Sequence, residues 1–184
     1  PLRLVGSEMC IRDSNYYDIN WHQLEKSKII IFSPGPGNPS HYPETQKVYK
    51  KYKGDKKIIG ICLGFQQILY AENADIVPQK KIYHGYQSKI KTLKESALFK
   101  PNKVFLAGRY HSLKLKEPFN SLSLKITMRC VESNVAMAIE DTINNVYGFQ
   151  FHPDSFLTVD GKFLIQKVLQ LSLIHISEPT RRRG

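Results

Sequence analysis

Cysteine is scarce in this chain. Three residues of 184, Cys10, Cys62 and Cys130, are too few and too scattered for a disulfide scaffold or a Cys-rich zinc site. A reducing, cytoplasmic setting is therefore the expectation. No apolar run approaches the roughly 18–20 residues that a membrane helix needs, and no basic-then-apolar leader opens the chain. Acidic residues are few, 16 against 27 Lys and Arg, which gives a net charge of +11. Arginine is sparse over residues 15–170, where only Arg109 and Arg129 occur. Readers of nucleic acid favour the forked guanidinium, so the lysines read as a solvated surface, and neither nucleic acid nor membrane is expected as a partner. What is plentiful is ordinary: 41% hydrophobic and 23% charged residues describe one globular domain with a real core.

The two ends stand apart. LVGSEMCIRDS at 4–14 and LSLIHISEPTR at 171–181 can be encoded by one stretch of DNA read in opposite orientations, and they look like a sequencing adapter. Residues 1–14 and 171–184 are accordingly set aside as adapter-like, leaving 15–170 as a single domain.

Within that domain, residues 28–32 (KIIIF) and 57–61 (KIIGI) are continuous apolar runs suited to buried parallel strands. Residues 33–40 (SPGPGNPS) form a loop. Helical spacing over 43–53 has Pro43 early and Gly54 just beyond its end. A short helix follows at 63–71, then strands at 87–92, 103–109, 121–130, 135–139 and 146–151, with a hairpin turn at 142–145 and a closing helix at 161–169. Strand–helix alternation followed by strands predicts an α/β domain with a largely parallel sheet.

The chemistry concentrates at residues 58–66, IIGICLGFQ. A strand passes through Gly60-Ile61-Cys62-Leu63-Gly64 into a helix, the thiol counterpart of a nucleophile elbow. Glycines two residues either side permit the tight turn, the helix N-terminus favours a thiolate, and the Leu63 N–H points where an oxyanion would form. A small core cysteine is the alternative reading. A base is available at residues 149–157, FQFHPDSFL. Pro153 keeps His152 extended, and residues i and i+2 of an extended chain share a face, so Asp154 can stand beside the imidazole and orient it. A surface His-Pro turn is the alternative there.

SPGPG at 33–37, GICLG at 60–64, RYHSL at 109–113 and GFQFHPDS at 148–155, in that order, resemble a class I glutamine amidotransferase. The similarity is greatest to the small subunit of anthranilate synthase or aminodeoxychorismate synthase, and it spans about residues 27–168. The resemblance implies a three-layer, flavodoxin-like sheet flanked by helices. It implies L-glutamine as substrate, no cofactor or metal, and a separate chorismate-binding synthase subunit that receives ammonia. By the same resemblance Cys62 attacks the glutamine amide, His152 shuttles the proton, and Asp154 is the third member of the triad. Gly35, Pro36 and Gly37 match the glutamine-binding loop, Leu63 the oxyanion donor, Gln66 a substrate contact, and Ser112 and Leu113 the stretch that holds the amino-acid end.

The chain departs from the family in three places. Phe65 stands where the family has His, which is expected to reshape the pocket or the partner-coupling surface. Asp154 stands where the family has Glu. Only residues 15–26 precede the first strand, so an N-terminal strand and helix are expected to be missing. The rival functions are an inactive partner-binding subunit or fragment, and a free-standing γ-glutamyl hydrolase.

Overall fold

The computed structural model describes residues 17–174, with side chains to Gln170. Of the adapter-like stretches 1–14 and 171–184, residues 1–14 and 175–184 lie outside the described residues. The backbone of 171–174 is helical, so the last helix passes the expected boundary at 170.

Nine strands and four helices follow in the order α1 (Trp21–Lys26), β1 (Ile29–Phe32), α2 (Pro43–Tyr52), β2 (Lys57–Ile61), α3 (Leu63–Ala71), β3 (Ile76–Pro78), β4 (Tyr86–Thr92), β5 (Val104–Arg109), β6 (Leu113–Leu115), β7 (Lys125–Cys130), β8 (Ala136–Asp141), β9 (Val146–Phe149) and α4 (Gly161–Ile174), with a 3₁₀ turn at Pro39–His41 before α2. Seven strands form one sheet in the order β1-β2-β9-β8-β7-β4-β5, and β3 and β6 form a separate two-stranded ribbon.

The expected α/β layering is present, but parallel pairing is confined to β1-β2-β9. The other four pairs of this sheet are antiparallel. The reason lies in the connections. Parallel neighbours need a long crossover, and α2 and α3 supply that only in the first half. In the second half a tight turn joins β8 to β9, where the Asp141 carboxylate accepts from the N–H groups of Ile143 and Asn144 at 3.1 and 3.0 Å and Asn145 takes a positive φ of 55°. A turn that short can join only antiparallel strands.

Each face of the sheet carries its own core. On one side Ile30, Phe32 and Ile58 pack with Val48, Tyr49 and Tyr52 of α2 and Phe65, Ile68 and Leu69 of α3. On the other, Ile59, Tyr147, Phe149 and Phe151 pack with Leu164 and Val168 of α4. Ile58 and Ile59 thus serve opposite faces, as the two-residue period of a strand requires. Both β8 and β9 are buried along their whole length. β1 differs from the expected buried run: Ile31 is 54% exposed, and among the described residues the strand pairs only with β2. The parallel core β1-β2-β9 sets the site, because the C-terminal ends of β2 and β9 deliver Cys62 and His152 to the same edge of the sheet.

Candidate active site

The elbow is strained in the manner its sequence requires. Cys62 takes φ 52° and ψ −100°, a left-handed conformation that a non-glycine residue rarely adopts. Two features hold it there. Its N–H donates to the Phe149 carbonyl at 2.8 Å, and its own carbonyl accepts the first helical hydrogen bond of α3, from Gln66 at 3.2 Å. The flanking glycines allow the approach. A Cβ on Gly60 would lie 2.5 Å from the Gly64 backbone, and one on Gly64 only 2.1 Å from the Phe32 carbonyl oxygen.

A cavity of about 140 Å³ opens in front of the thiol. Its lining comes from three distant segments: Gly35, Pro36 and Gly37; Cys62, Leu63 and Gln66; and Tyr110, His111, Ser112 and Leu113. It lies below the roughly 300 Å³ of drug-sized pockets, so it suits a ligand of amino-acid size. The 35–37 loop is fixed by a hydrogen bond from the Tyr42 hydroxyl to the Pro36 carbonyl at 2.6 Å, and Gly35 lies against the Leu63 side chain. Gly37 takes a positive φ of 81°. All seven expected binding residues, Gly35, Pro36, Gly37, Leu63, Gln66, Ser112 and Leu113, therefore meet at the candidate nucleophile. A wider groove of about 540 Å³, bounded by residues 72–75 and 116–120, holds no Cys or His and none of the four motifs.

His152 and Asp154 do not line this cavity. His152 is stitched to β5, its N–H donating to the Gly108 carbonyl at 3.0 Å. Asp154 approaches the ring on the Nδ1 side, at 3.6 Å, and remains 67% exposed. Tyr110, which does line the cavity, meets the His152 ring edge-on with centroids 4.9 Å apart, and its hydroxyl lies 3.0 Å from Ser155 Oγ. Among the described residues Cys62 Sγ makes no hydrogen bond to His152. Its polar neighbour is Gln150, whose Nε2 lies 3.5 Å from the Cys62 carbonyl and 4.0 Å from Sγ.

Electrostatics set the resting state. Burial pushes the Cys62 thiol up to about 11; the Leu63 N–H pulls the other way, and the Asp154 charge adds to the rise. The sequence favoured a thiolate at a helix N-terminus, but at 6% exposure desolvation outweighs that field. Burial also lowers the pKa of His152, only partly offset by Asp154. Both shifts favour the uncharged thiol and imidazole over a thiolate–imidazolium pair in the resting site.

Several residues here escaped the sequence reading. Tyr110 and His111 line the cavity directly. Gln150 is fully buried and bridges Gln66 to Cys62, accepting from Gln66 Nε2 at 3.1 Å. The i, i+2 rule that paired His152 with Asp154 would also have pointed back to Gln150. Phe65, conversely, is not at the site. It is fully buried on the sheet side of α3, and a Cβ on Gly148 would fall 3.1 Å from its ring. Contrary to the expectation that it reshapes the pocket, Phe65 does not line the cavity: its ring is taken up in the core between α3 and β9. No cluster of metal-ligating side chains occurs among the described residues.

The family Glutamine amidotransferase class-I matches residues 5–171. Anthranilate synthase component 2 of Cyanidium caldarium is 35% identical over 172 residues, covering 91% of this chain and 88% of the relative. The protein of the same name from Pyropia yezoensis is 40% identical over 153 residues, covering 82% and 79%. Among solved structures, a glutamine amidotransferase of Thermotoga maritima shares the fold with a TM-score of 0.61 at 15% identity, covering 89% of this chain and 71% of that one. An elbow cysteine facing a small cavity, in a chain matched by this family over almost its whole length, leads to one conclusion: the protein belongs to the class I glutamine amidotransferases.

Proposed function

We propose that this chain is the glutaminase subunit of a chorismate-utilising synthase of the anthranilate type, releasing ammonia from L-glutamine for a separate synthase subunit. The observation that carries the reading is the convergence of the 35–37 loop, the Cys62 elbow and the 110–113 segment on one cavity. The names of the relatives favour anthranilate over aminodeoxychorismate synthesis.

In this reading Cys62 Sγ attacks the side-chain amide carbon of glutamine while His152 takes the thiol proton. The Leu63 N–H stabilises the developing oxyanion. The protonated imidazole then gives its proton to the departing nitrogen, and ammonia leaves behind a γ-glutamyl thioester. Water, deprotonated by His152, attacks the thioester, and glutamate departs as the thiol is restored. Asp154 orients the ring from the Nδ1 side. Gly35, Pro36, Gly37, Gln66, Ser112 and Leu113 hold the substrate, and the ammonia passes to the partner without entering bulk water.

The test is ammonia release from glutamine by the chain together with a chorismate-binding synthase subunit. Cys62→Ser is expected to abolish it, since a hydroxyl of far higher pKa cannot be activated equally by the same imidazole. A glutamine-like diazo-ketone is expected to label Cys62 and leave Cys130 unmodified. A complex that forms yet neither releases ammonia nor takes the label would instead support the inactive partner-binding subunit.

A further inference from the structure

Arg109 is fully buried, and among the described residues the one carboxylate whose charge acts on it, Glu132, is not in direct contact but accepts from Cys130 Sγ at 3.1 Å. Burying a guanidinium is costly unless its donors are used. Here they are. Nε donates to His111 Nε2 at 3.1 Å, Nη2 to Gln79 Oε1 at 3.3 Å, and Nη1 reaches Ser88 Oγ and Cys130 Sγ, each at 3.4 Å. The guanidinium carbon sits 3.4 Å from the centre of the Tyr83 ring.

The hydrogen bond to His111 has a chemical consequence. An N–H aimed at Nε2 requires that nitrogen to be an acceptor. Burial, helped by the Arg109 charge, lowers the His111 pKa to about 3, so the ring is neutral. Its one proton then sits on Nδ1, which lies 2.8 Å from the Leu113 carbonyl and donates to it; the Gln79 amide nitrogen, 3.2 Å from the same Nδ1, gives its hydrogen to the His111 carbonyl at 2.6 Å. Gln79 completes the clamp: its backbone N–H donates to the Ser112 carbonyl at 2.9 Å and its side-chain amide to the His111 carbonyl at 2.6 Å. Three consecutive carbonyls, of His111, Ser112 and Leu113, are thus held by groups that answer to one buried cation. Those three residues form one wall of the cavity that Cys62 faces.

We propose that Arg109 is a positioning residue for substrate binding: by fixing the His111 tautomer and the Gln79 amide it holds the wall at Ser112 and Leu113 in register with Cys62. This rests on reading that cavity as the glutamine site. Arg109 touches no reacting atom, so its loss is expected to weaken binding more than turnover.

The experiment measures KM and kcat for glutamine in the complex with the synthase subunit, for the wild type and for Arg109→Met, His111→Phe and His111→Asn. Arg109→Met and His111→Phe are expected to raise KM about tenfold or more while kcat changes less than about threefold. His111→Asn keeps an N–H donor where Nδ1 stands and is expected to recover most of the affinity. A general packing defect would not be rescued by so much smaller a side chain. Nitrogen-15 NMR of wild-type histidines is expected to show the His111 proton on Nδ1, a readout that needs neither catalysis nor a folded variant. An active wild type with KM unchanged in Arg109→Met, or a spectrum with the proton on Nε2, overturns the inference alone. A wild-type complex that neither binds nor hydrolyses glutamine overturns the proposed function, and the inference with it.

Discussion

Gly64 backs onto the carbonyl group of Phe32, and a Cβ at position 64 would lie 2.1 Å from that oxygen. The first turn of α3 is therefore pressed against the end of β1 with no room for a side chain, and Cys62 is held at the mouth of the cavity by that contact. Because the obstacle is backbone, it cannot rotate aside. Gly64→Ala is expected to destabilise the domain by about 3 kcal/mol, at the upper end for overpacking, and to displace Cys62 enough to remove activity. Chemical denaturation together with a glutaminase assay checks both. A variant of wild-type stability would contradict the close approach.

The pH dependence of Cys62 reactivity follows from its burial. With the thiol pushed up to about 11, the thiolate fraction at pH 7–8 is very small. Alkylation of Cys62 by iodoacetamide in the isolated chain is expected to be slow there and to climb about tenfold per pH unit up to that value. Peptide mapping of the alkylated cysteine across a pH series measures it. A plateau already reached near pH 8 would mean that the thiol is activated in the resting protein.

Phe65 stands where the family carries His, yet its ring lies in the core formed by α3 and the sheet. Placing an imidazole there buries a polar group without a partner in the present packing. Phe65→His is expected to cost about 1–3 kcal/mol of stability and to bring no gain in kcat. Thermal unfolding and steady-state kinetics decide it. An increase in kcat would show that residue 65 couples to the site in a way its packing does not suggest.

His111 makes stability depend on acid. In the unfolded chain an imidazole titrates near 6.5, whereas in the fold its pKa is lowered to about 3. Between these values the unfolded chain binds a proton that the folded chain refuses. This contribution is therefore fully present above about pH 6.5 and is lost as pH falls toward 3, with a limiting slope of about 1.4 kcal/mol per pH unit. His111→Asn is expected to flatten that part of the profile. Urea unfolding at pH 7, 6, 5 and 4 supplies the measurement, and equal acid sensitivity in both proteins would exclude His111 as the source.

The sequence spoke most clearly where structure is local. β2 and α3 were legible to the residue, because an uninterrupted apolar run, a cysteine between glycines and a helical pattern all lie within fifteen positions. β3 and β6 were not legible: each has three residues and exists only because Ile76–Pro78 pairs with Leu113–Leu115 across the fold. α1 has six residues, an Asn20 cap and no buried position, so it leaves no apolar stripe to read. The hairpin at 142–145 was legible from its turn residues, but the antiparallel pairing of β4, β5 and β7 was not, because strand direction depends on connections rather than on strand composition. At the site, the motif at 109–113 marked the right segment, but Ser112 and Leu113 drew attention while Arg109 and His111 stayed unread. Their part depends on burial, and nothing local in the sequence says that an arginine beside a tyrosine will be hidden from water. Phe65 shows the opposite error: nearness to Cys62 in sequence suggested a shared site, whereas its ring is buried in the core against Gly148.

The pairing of β2 with β9 also has a consequence in time. Ile58 lies beside Val146, and Cys62 gives its N–H to the carbonyl of Phe149, so the elbow is completed by strands made far apart during synthesis. At about 5–20 residues per second, roughly 5–20 s separates the emergence of Cys62 from that of His152. Until then the nascent chain has neither the carbonyl that pins the elbow nor an imidazole to take the thiol proton. The nucleophile is thus catalytically idle on the ribosome, although its thiol, not yet buried, ionises more readily there than in the fold.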